Sequence, residues 1–167
     1  MYDNLTASDI KKMEEEIEYR KLILRKNLLE DVKEARSHGD LSENFEYYAA
    51  KKEKNRNESR IRFLERMIRT ANIIDDSSKN DEIGMNDRVE VYIEEDEVTE
   101  SYRIVTTVRA NSLKKLISIE SPLGKALLGK KVGDRVEIKV NSSYSYYVVI
   151  KHIEKIEDDS LDKIRSY

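Results

Sequence analysis

The 167-residue sequence has no cysteine, no tryptophan, one proline, five glycines and two histidines. Without cysteine there are no disulfides and no thiolate metal sites, and His38 with His152 offers too few ligands for a histidine-based zinc centre. Long apolar runs are also missing. The N-terminal stretch MYDNLTASDIKKMEEE has neither the basic start nor the apolar core of a signal peptide, and no later window reaches membrane-spanning length. The expectation is a cytoplasmic protein with no membrane partner. What is abundant is charge: 39% of residues are charged and 38% hydrophobic, a balance that suits an extended, solvated element more than one compact globule. The length admits one or two small domains.

The organising stretch is His38 to Ala50, HGDLSENFEYYAA, set between two segments of helical character. Upstream, Ile10, Met13, Ile17, Leu24, Leu28, Val32 and Ala35 recur at helical intervals, which predicts one amphipathic helix from about Ser8 to Ser37. Downstream, Tyr47, Ala50, Ile61, Leu64, Ile68 and Ala71 follow the alternating spacing of a coiled-coil face, interrupted by Lys54 and Asn57. Two such helices joined by so few residues must run antiparallel. Gly39 suits the left-handed end of the first helix, and Asp40-Leu41-Ser42-Glu43 reads as a D-x-x-E capping box for the second. A capped turn would account for these residues without any function. The alternative is that two carboxylates are carried at the end of a needle roughly 45 Å long, at ~1.5 Å of rise per residue, into a narrow hole.

Charge is unevenly distributed. Between Lys51 and Arg69 there are eight basic residues against three acids, so the stretch carries +5 beside the acidic tip. One reading is a solvated face with i to i+4 pairs such as Glu58 with Arg62 and Glu65 with Arg69. The other is a surface for single-stranded RNA, with Lys51, Lys52, Arg56 and Arg60 on phosphates and Tyr47 and Tyr48 offering aromatic faces. The acidic run Glu14, Glu15, Glu16 and Glu18 reads as helix-dipole compensation that can also pair with the basic helix.

Beyond the helices the polar run Asp75 to Glu82 has no apolar period, and the linker is assigned to residues 77–82. The pattern then alternates at Val89-Val91-Ile93, Tyr102 to Arg109, Leu116 to Glu120, Val136-Ile138-Val140 and Tyr146 to Ile150, with a short helix at Pro122 to Leu128 closed by Gly129. The expected fold class is α+β: an antiparallel helical hairpin over residues 1–76 with its acidic tip at 38–44, an antiparallel sheet domain with one short helix over 83–157, and a tail at 158–167.

The run Ala35 to Asn44 followed by Glu46-Tyr47 and Ala49-Ala50-Lys51 resembles the coiled-coil tip of the bacterial Gre transcript-cleavage factors, GreA type. Asn72 to Asp75, Tyr102 to Val105 and Ser121 to Lys130 resemble later segments of the same family in the right order. The resemblance implies an FKBP-like C-terminal domain and a monomeric elongation factor that enters the secondary channel of bacterial RNA polymerase. There Asp40 and Glu43 would ligand a second Mg2+ shared with the polymerase active site and stimulate cleavage at the nascent RNA 3′ end, with Ser42 and Asn44 in support. Ser121, Pro122 and Leu123 would face the polymerase rim. On this reading the protein is an accessory to the polymerase's own hydrolysis and not an enzyme by itself. Gre-like paralogues that occupy the channel without cleavage are the alternative, and a plain coiled-coil adaptor is a third. Four features depart from the family pattern: Thr106 in place of glycine, Arg109-Ala110-Asn111 in place of the usual Glu-Ala-Asp, which reverses local charge on the C-terminal domain, no proline near Leu22 to Lys26, and an extension from Asp158 to Tyr167.

Overall fold

A computed structural model describes residues 3–39 and 44–166. In chain order the elements are β1 (Asn4–Leu5), α1 (Ala7–Tyr19), a π-helical segment (Arg20–Leu24), α2 (Arg25–Ser37), α3 (Phe45–Arg69), β2 (Asn72–Ile73), β3 (Arg88–Ile93), β4 (Val98–Val105), β5 (Leu116–Ser118), α4 (Pro122–Leu127), β6 (Arg135–Lys139) and β7 (Ser145–Glu154). Two compact units result, one comprising Met1–Asp3 and Ile10–Asn72, the other Asn4–Asp9 and Ile73–Tyr167.

In the first unit the apolar seam read from spacing is the buried one. Met13, Ala35, Ile61 and Leu64 are buried along it, as is Met67, which the spacing did not single out. The polar interruption at Asn57 is also inside, only 3% exposed. The first helix is not uniform. Between α1 and α2 the backbone widens into a π turn in which Arg25 N–H reaches Arg20 O, and no proline or glycine causes it. Asn57 explains how it is tolerated: Arg20 Nη1 donates to Asn57 Oδ1 at 2.9 Å, while Asn57 Nδ2 donates back to Arg20 O at 3.4 Å. A polar side chain from the facing helix thus serves both the arginine and the carbonyl at the start of the turn.

In the second unit the sheet order is β5-β4-β3-β7-β6. Pairing is antiparallel for β3–β4, β3–β7 and β6–β7 and parallel for β4–β5, so the expected all-antiparallel sheet is instead mixed at one edge. The reason lies in the connection. The second strand was expected to reach Arg109, but β4 stops at Val105, and Thr107–Arg109 and Ser112–Lys114 form two 3-10 turns that carry the chain round before β5. Val89, Val91, Ile104, Val136, Ile138, Val148 and Ile150 build the core on one sheet face, joined by Leu127 of α4. Ser121 caps α4 by accepting from Gly124 N–H, with Pro122 in the first turn. A Cβ at Gly124 would lie 2.0 Å from Ser118 O, so only glycine lets this helix approach the sheet so closely.

Two boundaries differ from expectation. Residues 4–9 and 73–76 group with the second unit instead of the hairpin, and Ile74 N–H donates to Leu5 O. The expected linker and tail are also built into that unit. Lys155 Nζ donates to Ser78 Oγ, to the carbonyls of Lys79 and Glu82 and to Asp87 Oδ2, which ties down a stretch that has no apolar content of its own. In the tail, Asp162 pairs with Arg103 at 2.6 Å.

Candidate functional site

The hairpin tip is framed by what holds the two helix ends. His38 closes α2 and Gly39 follows at φ 132°, a backbone region that favours glycine. Across from it Asn44 is the N-cap of α3, accepting from Tyr47 N–H through Oδ1 at 3.0 Å. Its amide also reaches the other helix, where Nδ2 donates to Ala35 O at 2.6 Å. One side chain therefore caps one helix and fastens it to the last turn of the other. This corrects one expectation, since the cap of α3 is Asn44 and not Asp40, while the described bonds of Asn44 run to the backbone of both helices. Asp40, Ser42 and Glu43 lie outside the described residues, as does Leu41.

A second fastening lies beside the first. His38 Nδ1 and Glu46 Oε2 are 2.7 Å apart, and this hydrogen bond, followed by the charge of Glu46, raises the His38 pKa above its ordinary 6.5. Sequence reasoning missed this pair, although a histidine and an acid eight residues apart across a short turn were its signal. It also missed Phe45, which opens α3 with 85% of its surface exposed next to the tip.

The residues read as RNA contacts separate into two groups. Tyr47 and Tyr48 meet edge to face at 5.5 Å between centroids, and Tyr48 is exposed. Arg36 and Lys51 lie over the Tyr47 ring at 5.4 and 5.9 Å, and the hydrogen bond from Arg36 heads the causes that lower the Tyr47 pKa. Lys51, Lys52 and Arg56 are exposed, Arg56 against Glu53. Arg60 does not share that surface. It is 12% exposed and forks onto Glu16 of α1, Nε to Oε1 at 2.9 Å and Nη2 to Oε2 at 3.2 Å. Burial by itself would raise the Glu16 pKa, but the bonds from Arg60 and Arg20 outweigh it and the pKa is lowered. The expected pairs along α3 are replaced in the same way: Glu58 takes a bidentate bond from Arg25, and Glu65 pairs with Lys21. Arg25, Glu58 and Glu16 are half-buried in these pairs, whereas the Lys21–Glu65 pair is exposed.

The residues read as docking contacts sit at α4. Ser121 is engaged in its cap and donates to Ser118 O, Pro122 is exposed, and Leu123 packs against the core. Arg109, read as part of a run that reverses local charge on this domain, is buried and paired with Asp9 and Asp162. Among the described residues no group of three or more His, Asp or Glu is arranged to hold a metal ion, and no helix is long and apolar enough to cross a membrane.

Comparison with known proteins bears on both halves of the chain. Residues 4–73 match the family model described as transcription elongation factor, N-terminal, and residues 78–155 the one described as transcription elongation factor, GreA/GreB, C-term. Transcription elongation factor GreA of Thermoanaerobacter pseudethanolicus is 46% identical over 137 residues, covering 81% of this chain and 87% of that protein. The protein of the same name from Bacillus subtilis is 40% identical over 147 residues, covering 88% and 94%. Among solved structures, GreA factor homolog 1 of Thermus thermophilus aligns at 27% identity with a TM-score of 0.42, covering 93% of this chain and 100% of that one. With both family regions present in order and relatives matched over most of their length, the chain belongs to the GreA/GreB family of transcription elongation factors.

Proposed function

We propose that this elongation factor stimulates endonucleolytic cleavage of the nascent RNA in backtracked RNA polymerase complexes, acting as a monomer that inserts its helical hairpin through the polymerase secondary channel. Family membership supports the transcriptional role. The observation that carries the rest is the doubly fastened tip: the Asn44 bridge and the His38–Glu46 pair hold the ends of two long helices together immediately beside Asp40 and Glu43. Such a base fixes the two helix ends that flank the acids in sequence, and ends ordered beforehand lower the entropy lost when a ligand is engaged.

Asp40 and Glu43 then complete the coordination of a second Mg2+ in the polymerase active site. That ion supplies positive charge to the attacking and leaving oxygens of phosphodiester hydrolysis. Two carboxylates alone are a poor cage for an ion that keeps most of its waters, so the factor works only within the polymerase complex, as an accessory and not a nuclease in its own right. Its place is the cytoplasm, with the polymerase. Ser42 orients the acids or the attacking water. Lys51, Lys52 and Arg56, with Tyr47 and Tyr48, guide the extruded RNA 3′ end, while Pro122 and its neighbours Ser121 and Leu123 approach the channel rim.

The test is cleavage in stalled, backtracked complexes with Mg2+. Wild type is expected to release 3′-terminal fragments, whereas Asp40→Asn and Glu43→Gln should fold normally and release none. Full-rate cleavage by either variant would remove the metal-ligand role. Blocked synthesis without cleavage by wild type would identify a non-cleaving regulator of the same channel.

A further inference from the structure

A charged cluster in the second unit has no part in the reading above. At its centre is Arg109, 1% exposed. Its inner partner is Asp9, whose Oδ1 lies 2.6 Å from Nε without hydrogen-bond alignment, since that N–H is directed to Thr106 Oγ1 at 3.1 Å. Thr106 in turn donates to Asp9 Oδ2 at 2.7 Å. Asp9 is held in place independently, because Thr6 and Asp9 exchange side chain to backbone bonds as a capping box at the start of α1.

The outer side is supplied by the C-terminal segment. Asp162 accepts from Arg109 Nη1 at 2.8 Å and from Arg103 Nη1 at 2.6 Å, and Asp159 lies 3.7 Å from Arg109 Nη1. A turn with Asp162 N–H on Asp159 O sets these two acids side by side, and Arg165 N–H closes the segment onto Val108 O at 2.7 Å. Ser8 Oγ donates to Asp159 Oδ1 at 2.9 Å, and the apolar hold on the segment is confined to a half-buried Ile164. Leu161 is 91% exposed, and a cavity of about 530 Å³ runs between the segment and residues 109–116, lined among others by Lys114 and Lys163. The arginine fork is not saturated either, for Nη2 is buried and makes no hydrogen bond among the described residues.

We propose that residues 158–166 are a removable strap occupying, in cis, a docking site for an acidic peptide, with Arg103 and Arg109 as the recognising cations. The strap displays the ligand chemistry itself: two carboxylates three residues apart, read by planar guanidinium groups that bind carboxylates in defined geometry. When it leaves, Asp9 still compensates Arg109, so the fold persists while Arg103 and the outer edge of Arg109 face solvent beside Lys114. Attachment mainly through charged and polar bonds, with little apolar burial, makes release sensitive to ionic strength. A partner bearing an Asp-x-x-Asp or similar segment would compete for the vacated cations.

Two measurements on the full-length chain decide this. In wild type, amide exchange at Arg165 is expected to be about tenfold or more faster than at core amides such as Ile150, through a local opening that grows with salt. Exchange at Arg165 only through global unfolding would overturn the proposal. In parallel, a labelled synthetic peptide spanning Asp158 to Tyr167 is titrated against the Asp159→Asn/Asp162→Asn chain. Saturable binding that disappears when Arg103→Ala is added, and that wild type shows only weakly, is the expected result. No binding by a variant whose core amides remain protected, or binding indifferent to Arg103, would equally overturn it. If the double variant does not fold, the wild-type exchange measurement stands by itself.

Discussion

Asn57 and Arg20 exchange hydrogen bonds across the hairpin, side chain to side chain in one direction and side chain to backbone in the other. The pair sits where the first helix widens, and it gives the two helices one register in which a buried amide is satisfied. Asn57→Ala should destabilise the hairpin by about 1–2 kcal/mol, the cost of leaving buried partners unpaired. Thermal melting measures the loss, and amide exchange at Arg25, whose N–H reaches Arg20 O, should quicken more than elsewhere in α2. Unchanged exchange there would mean that the π turn is held by other contacts.

The tip should respond to pH with a definite sign. Because Glu46 raises the His38 pKa, the protonated imidazole is favoured in the folded tip. The resulting stability is fully present below the ordinary value of 6.5 and is lost as pH rises through the higher folded-state value. An NMR titration of the His38 ring should show the raised value, and Glu46→Gln should bring it back towards the ordinary one. A His38 titration unaffected by that substitution would break the link.

Asn44 offers a test that separates its two bonds. Asn44→Ala removes both the cap and the bridge, and should cost about 1 kcal/mol for the cap alone. Asn44→Asp keeps an acceptor for Tyr47 N–H but places no donor against Ala35 O. Melting should therefore be rescued largely by aspartate, whereas transcript cleavage should be rescued only in part if the bridge aims the tip. Equal rescue of both would reduce Asn44 to an ordinary cap.

The division of the basic stretch makes a third contrast. Neutralising Lys51, Lys52 and Arg56 should leave the melting temperature nearly unchanged, since exposed pairs contribute ~0–1 kcal/mol, yet weaken cleavage most on long backtracks, with a defect that deepens at higher salt. Arg60→Gln should behave in the opposite way. It leaves Glu16 half-buried with one partner fewer, so stability falls and all backtracks are affected alike. A uniform cleavage loss from the triple variant would remove the RNA-guiding role.

How much of this was legible depended on the distance over which each feature is encoded. The seam residues, the short helix after Ser121 and the five alternating strands are local patterns, and they are found close to where the spacing placed them. Asn57 was visible only as an interruption, because its meaning lies in Arg20, 37 residues earlier on another helix. The same holds for Lys155, whose partners are 68 to 77 residues away, and for Thr106 and Asp9, separated by 97. Arg109 was read only as a reversal of local charge, because a sequence window cannot distinguish an arginine in solvent from one whose acids arrive from both chain ends. The cap of α3 was placed at Asp40 instead of Asn44 for a different reason: both residue types suit an N-cap, they lie four positions apart at one short turn, and propensity ranks them equally.

The edges of the sheet have a consequence of their own. At one side β5 offers only three residues, and at the other β6 reads Arg-Val-Glu-Ile-Lys, with Arg135, Glu137 and Lys139 exposed and charged on alternate positions. An unpaired strand is a template on which a foreign strand can grow, and both shortness and charge oppose that growth. A cell crowded with nascent polypeptides therefore meets, at either margin of this domain, a border on which stacking into fibrils finds little purchase.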